Sequence, residues 1–348
     1  MTEIEQFHPE WSEGKATGKL ARAKVLVTGA TGFIGNLLVR RLASMGCRIK
    51  LLVENQYNSD LAEYDVYQGG LFSNDALARA SKSTEIVYHL AAFTDPDAKS
   101  SEAVERCFAI NVEGTKNLLH SLSPSTKHVV SFSTVYVFGN QNEDVTDEGS
   151  PADPITPYGH SKLEAENLIR EWGLRYGVMT TCLRLPLVYG PGNKGNILRM
   201  IDAVARRRFL VVGKGENTRS MVYVENVIDA AIAVAYREEA DGETFIVTDG
   251  REYSVLVLYQ TISKYLGIRP LPLRIPMIIA RPAGRVLDLA GSVAGINLPI
   301  NSQVIKRLTA SQVFSSKKIE ALLGFSPRYD LSEGMAETVR WYKGNKWQ

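Results

Sequence analysis

The sequence predicts an α/β protein, a doubly wound parallel sheet with a smaller C-terminal domain. Three observations carry this. A strand, a glycine turn and an amphipathic helix follow one another from Val25 to Met45. Apolar strand-length runs then alternate with helical patterns up to residue 185, as parallel strands with helical crossovers require. Beyond Pro186 the alternation loosens, and turns rich in proline and glycine take over.

The opening turn is the most informative stretch. Val25, Leu26, Val27 and Thr28 read as a buried strand, glycines stand at 29, 32 and 35, and Ile34, Leu37, Leu38, Leu42 and Met45 mark a helix. Gly29 permits a tight turn, Gly32 lets the backbone approach a pyrophosphate, and Gly35 lets the helix pack on the strand. The helix N-terminus offers N–H groups and a partial positive charge to phosphates. A dinucleotide site is expected here. A second strand over 48–53 ends at Glu54. This lies about 20 residues past the glycines, where an acid grips a ribose 2′-hydroxyl and repels a 2′-phosphate.

Further strands are expected at 65–68, 85–90, 128–134 and 180–185, and helices at 101–122 and 157–176. Ser73 or Asn74 is placed to cap a short helix. His89 lies inside a strand pattern and reads as structural, and Ala91 and Ala92 suit a backbone passing beneath a cofactor. Asn111 falls within the long helix, where a buried amide needs partners. The loop over 140–157 is long enough to suggest function. Thr156 then caps a helix whose first residue is Pro157. Later, 197–208 reads as a basic amphipathic helix, 222–235 as strand turning into helix, and 245–247 as a strand. The segment 269–299, broken by prolines and glycines, resembles a lid or substrate cap.

Bulk properties narrow the classes. The 348 residues are 45% apolar and 22% charged, with a net charge of +2, so no strong pull toward nucleic acid or an anionic membrane is implied. Cys47, Cys107 and Cys182 form neither a metal spacing nor a disulfide framework, which points to a reducing, cytoplasmic setting and no metal. The first 23 residues are polar and read as a mobile tail rather than a signal peptide. No apolar run approaches the roughly 20 residues that span a bilayer.

Chemistry concentrates on one helix. Tyr158 and Lys162 are four residues apart and share a face. A phenol titrates at about 10 and is a poor base at neutral pH, but an adjacent ammonium favours the phenolate and lowers that value. Tyr158 then serves as proton donor or acceptor in an alcohol–ketone interconversion. Lys162 can also hold a nicotinamide ribose. Thr134, at the C-terminal end of a strand, is placed to orient the reacting oxygen.

These residues resemble the extended short-chain dehydrogenase/reductases, or NAD-dependent epimerase/dehydratase family. The likeness covers about residues 24 to 343. It rests on Thr-Gly-Ala-Thr-Gly-Phe-Ile-Gly at 28–35, His-Leu-Ala-Ala at 89–92, Asn-Val-Glu-Gly-Thr at 111–115, Ser-Thr-Val-Tyr-Val-Phe-Gly at 133–139 and Tyr-Gly-His-Ser-Lys at 158–162. Arg-Leu-Pro-Leu-Val-Tyr-Gly-Pro-Gly at 184–192, the run from Arg219 to Val224 and the ending Leu323-Gly324-Phe325 also match. The resemblance implies a Rossmann-type sheet and NAD as cofactor. It implies Tyr158 as acid/base, Lys162 as its partner and Thr134 as the orienting hydroxyl. The implied cofactor contacts are Gly29, Thr31, Gly32, Phe33, Ile34 and Glu54, with Leu71, Leu90, Ala91, Ala92, Asn111, Ser133, Tyr158, Lys162 and Pro186. The implied substrate contacts are Phe93, Thr134, Tyr136, Lys194, Asn196 and Arg219. A homodimer through the helices at 101–122 and 157–176 is expected on the same ground.

The division expected is a tail over 1–23, a dinucleotide-binding domain over 24–185 to which 220–248 returns, and a substrate domain from 186–219 and 249–348. Gly69-Gly70-Leu71 stands where many relatives have Gly-Asp-Leu near the adenine. Val135 and Tyr136 replace the Asp-Glu pair of sugar-nucleotide 4,6-dehydratases, which argues against water elimination, and Leu187 replaces the Asn of many 4-epimerases. The leading expectation is an NAD-dependent epimerase or oxidoreductase acting on a sugar hydroxyl or keto group of a nucleotide sugar, whose diphosphate Arg219 would pair. The alternative is a dehydrogenase or reductase of an apolar alcohol, of the hydroxysteroid or dihydroflavonol-reductase kind. No nucleic acid and no membrane partner is expected.

Overall fold

Seven parallel strands form the centre of the computed structural model, which describes residues 20–54, 61–139, 145–294 and 302–345. The first elements are β1 (Lys24–Thr28), α1 (Phe33–Ser44), β2 (Arg48–Val53), β3 (Asp65–Gln68), α2 (Asn74–Ser81) and β4 (Ile86–His89). Then come α3 (Ser101–Phe108), α4 (Gly114–Ser121), β5 (His128–Thr134), α5 (Pro157–Tyr176), β6 (Met179–Leu185) and β7 (Leu187–Tyr189). The next stretch holds α6 (Asn196–Ala205), β8 (Val211–Val212), β9 (Thr218–Tyr223), α7 (Val224–Ala233), β10 (Glu243–Ile246) and β11 (Glu252–Ser254). The chain continues through α8 (Val255–Leu266), β12 (Arg274–Ile275), α9 (Met277–Ala294), α10 (Ser302–Thr309), α11 (Lys317–Leu323) and α12 (Leu331–Asn345).

The sheet order is β3-β2-β1-β4-β5-β6-β10. Strand order reverses beside β1, where Thr28 pairs with Leu52 on one side and His89 on the other. The crevice beyond these strand ends is where open α/β sheets bind ligands. Both faces of the sheet are covered. Val25 and Val27 pack into a cluster with Leu38, Leu42 and Val227, while Leu26 joins Leu118, Val129 and Ile169 on the other face. Strands buried on both faces read as continuous apolar runs, which is why these were visible in the sequence.

Four differences from expectation bear on the site. The helix over 101–122 is broken by a π-helical turn at Ala109–Glu113, which contains Asn111. Residues 220–248 return only in part: β9 pairs with β7 and β11 in a small three-stranded sheet, and β10 is the strand that joins β6. The packed chain begins before residue 24, since Leu20 is buried and Arg22 N–H donates to the Gly46 carbonyl; residues 1–19 lie outside the described residues. The segment 269–299 holds a strand and the 18-residue helix α9, with Pro282 inside it. Its last residues, and 140–144 of the long loop, lie outside the described residues.

Candidate active site

The glycine turn is built as its residue types demand. Gly29 has φ +73°, and a Cβ there would stand 2.7 Å from the backbone nitrogen of Ala91. Only glycine tolerates both the conformation and the contact. Gly32 precedes α1 with no side chain capping the helix, so the first-turn N–H groups, those of Phe33, Ile34 and Gly35, have no intrahelical acceptor. Thr31 is exposed at the tip, and Leu90, Ala91 and Ala92 are half-buried opposite. Glu54 is exposed at the end of β2, beside β1. A Cβ on Gly70 would lie 3.1 Å from the Glu54 side chain, and Gly70 has φ +65°. That geometry favours glycine at this position. Leu71 is buried, packs against Gly114, and its carbonyl accepts from Asn117.

Thr156 caps α5 by accepting from the Gly159 N–H at 3.1 Å, which sets the helix start and the directions of Tyr158 and Lys162. Both side chains are buried. Burial pushes the Tyr158 phenol up to about 12, against hydrogen bonds from Thr94 and Thr134 that act to lower it. Helical spacing alone predicts that Lys162 lowers this value. Burial dominates here, Lys162 is not among the groups that act on the phenol, and burial also pushes the Lys162 ammonium down. Among the described residues, no hydrogen-bond acceptor meets Lys162 Nζ, and Ser133 Oγ is buried without a partner. A bare helix N-terminus, a buried ammonium and an orphaned hydroxyl are the donor set that a dinucleotide with its ribose hydroxyls satisfies.

A hydrogen-bond chain joins the glycine turn to α5. Ala91 N–H donates to Thr28 Oγ1 at 3.1 Å, and Thr28 Oγ1 lies 2.8 Å from His89 Nδ1. His89 Nε2 lies 2.9 Å from Thr115 Oγ1, which donates to the Asn111 carbonyl at 2.6 Å. Thr115 therefore accepts from His89, which places a proton on Nε2 and, with burial disfavouring a second, leaves the ring neutral. Burial holds it there, with a value lowered to about 3. Asn111 Nδ2 donates to the Phe93 carbonyl at 3.1 Å and to Ser161 Oγ at 2.9 Å, and its Oδ1 accepts from Phe93 N–H at 2.8 Å. Ser161 in turn donates to the Tyr158 carbonyl at 2.9 Å. Asn111, expected as a cofactor contact, spends its amide on protein groups. The π-turn carries that amide to both Phe93 and Ser161.

Tyr136 stands edge-on to Tyr158, ring centres 5.9 Å apart at 71°. Phe93 packs with Tyr158 and holds the Arg106 guanidinium 4.5 Å over its ring. Arg219 is half-buried on β9 and donates to Gln312 Oε1 at 2.8 Å; burial pushes its guanidinium down, and the Tyr136 phenol, within electrostatic range, opposes this. Lys194 and Asn196 are exposed on the turn entering α6. A Cβ on the nearby Gly192 would lie 3.5 Å from the Phe33 ring, which brings this turn to the N-terminus of α1. Pro186 is half-buried between β6 and β7.

A family model described as "NAD dependent epimerase/dehydratase family" matches residues 25–248. The chain belongs to that family. It is therefore an enzyme, and NAD is its cofactor. Among relatives of this family member is the N-acetyl-α-D-glucosaminyl-diphospho-ditrans,octacis-undecaprenol 4-epimerase of Escherichia coli O157:H7, 26% identical, covering 91% of this chain and 94% of the relative. Another is the 3β-hydroxysteroid-dehydrogenase/decarboxylase isoform 2 of Arabidopsis thaliana, 25% identical, covering 90% of this chain and 61% of the relative. The structure of MoeE5 in complex with UDP-glucose and NAD superposes with a TM-score of 0.71 at 25% identity, covering 92% of this chain and 99% of that one.

Thr94 went unnoticed in the sequence. Its hydroxyl bonds the Tyr158 phenol, yet threonine in a loop carries no signal of its own. The one available cue was its position, two residues past Ala92 at the end of β4.

Proposed function

We propose that this enzyme epimerises a hydroxyl-bearing carbon of a nucleotide sugar, with Tyr158 as both acid and base. NAD, when bound, supplies the hydride acceptor and donor and a positive charge on its nicotinamide. Tyr158 takes the proton of the substrate hydroxyl as the carbon is oxidised and returns it when the carbon is reduced. Thr134 and Thr94 fix the direction of the phenol, and Lys162 favours its ionised form and binds the ribose. Glu54 selects NAD over its 2′-phosphorylated form.

The observation that carries the substrate reading is Arg219, half-buried on β9 and within electrostatic range of Tyr136, itself edge-on to Tyr158. A half-buried guanidinium in electrostatic range of that aromatic pair suits a sugar carried on a diphosphate. The E. coli relative and the MoeE5 complex are both named with such a sugar, on a polyprenol in one and on uridine in the other. Oxidation of an apolar alcohol draws support from the Arabidopsis relative. It suits Arg219 less, because an apolar substrate would desolvate the guanidinium without adding an anion. Calorimetry decides between them. UDP-glucose should bind the NAD-loaded enzyme, and Arg219→Leu should weaken it at least about tenfold, ~1.4 kcal/mol. Equal binding by both forms removes Arg219 from the substrate site.

A further inference from the structure

Helix α9 turns an apolar stripe to solvent. Ile278, Ile279 and Val286 are 82%, 59% and 65% exposed, while Ala280 on the opposite side is 5% exposed. Helical geometry sets Ile278, Pro282, Val286 and Ile279 within an arc of about 100°, with Arg281 and Arg285 along one edge. A surface helix ordinarily buries its apolar stripe against the core; here the stripe points away from it.

The face continues past the helix. β12 pairs in parallel with β8, Arg274 opposite Val211, so exposed Leu273 adjoins exposed Leu210. Leu210 follows the exposed pair Arg207 and Arg208 by two residues. A Cβ on Gly213 would stand 3.1 Å from Met277, which joins this strand pair to the start of α9. From 269 to 287 the sequence carries four arginines and no acid. The next residue, Asp288, accepts the Ser302 N–H at 3.1 Å. The net charge of +2 averages away this local concentration.

We propose that this face docks on the surface of an anionic lipid bilayer. Ile278, Ile279, Val286 and Leu273 enter the headgroup–acyl boundary, and Arg274, Arg281 and Arg285 meet lipid phosphates. Charge selects this occupant. A second copy on the same face would set arginine against arginine across a two-fold axis. A protein partner's hot spot calls for aromatic anchors in a well-packed centre, and the stripe has only aliphatic residues with Arg281 and Arg285 along one edge. No helix among the described residues is long and apolar enough to cross a membrane, so the helix lies on the surface. The proposal is independent of the substrate reading.

The test is co-sedimentation of the full chain with vesicles of phosphatidylcholine alone and of phosphatidylcholine with phosphatidylglycerol. Binding should favour the anionic vesicles and fall with added salt. The double variant Ile278→Glu/Ile279→Glu should bind at least tenfold less, and Arg281→Glu/Arg285→Glu should lose the preference for phosphatidylglycerol. All four side chains are exposed, so both variants should keep the wild-type melting temperature and NAD affinity. No vesicle binding by the wild type overturns the proposal, as does equal binding by the variants. Light scattering that finds self-association abolished by Ile278→Glu, without vesicle binding, assigns the face to a second copy instead.

Discussion

Asn111 and Ser161 meet across two helices, the amide donating to the hydroxyl at 2.9 Å, and Ser161 passes the contact to the carbonyl of Tyr158. The proposed acid–base residue is thus fastened from behind, through His89 and Thr28, to the turn proposed to receive the cofactor. Asn111→Ala leaves Ser161 and the Phe93 backbone without their partner. It should lower kcat more than KM by loosening the geometry of Tyr158, and the melting temperature should fall with it. Asn111→Asp, which keeps the acceptor for Phe93 N–H, should recover part of the loss. Unchanged kcat in the alanine variant would sever the link.

Thr94 and Thr134 hold the same phenol, and their removal should separate in size. Thr134→Val should reduce kcat by about a hundredfold, as loss of a donor at the reacting oxygen does. Thr94→Val should cost about tenfold, the loss of one hydrogen bond to a group that carries charge. Steady-state kinetics on the same substrate check both. Equal kcat in wild type and Thr94→Val would reduce that contact to a packing detail.

Cofactor choice is proposed to rest on Glu54. NAD should bind more tightly than NADP in a titration, and Glu54→Ala should narrow the gap, since the carboxylate both accepts from the 2′-hydroxyl and repels a 2′-phosphate. Tighter NADP binding by the wild type would contradict the assigned role.

Two neutral histidines predict how stability follows pH. His89 is lowered to about 3 and His128 to about 4, both by burial. His128 Nδ1 accepts from Tyr236 N–H, and its Nε2 lies 2.9 Å from Thr181 Oγ1. Both values sit below the ordinary imidazole range near 6.5, so the unfolded chain takes up the protons first. The stability these rings contribute is fully present above about pH 6.5 and is lost as pH falls from there toward their folded values. The melting temperature should drop between about pH 7 and pH 5, and less steeply in His128→Gln. Parallel curves for the two proteins would exclude His128 as a source of the slope.

Sequence patterns exposed some of this site and hid the rest, for physical reasons. The glycine turn was legible because each glycine answers a local demand, and the start of α5 because Thr156 and Pro157 form a capping signal. Tyr158 and Lys162 were legible as a pair because helical spacing alone sets them on one face. The π-turn at Asn111 was not, because its cause is tertiary: the amide's partners are 18 and 50 residues away in sequence. Burial of Tyr158 reversed the direction expected for its phenol, and burial is a property of the packed chain. Helix α9 was missed because Pro282 reads as a break, whereas here it lies on the exposed face of the helix.

The measurement that bears most directly on the central claim is the fate of a UDP-hexose incubated with the NAD-loaded enzyme, followed by proton NMR. Wild type should convert it to a mixture of two epimers without net reduction of NAD. Tyr158→Phe should bind NAD as tightly and lose nearly all conversion. Undiminished conversion by Tyr158→Phe would contradict the account, as would an inert wild type across UDP-hexoses that instead oxidises a hydroxysteroid with accumulation of NADH.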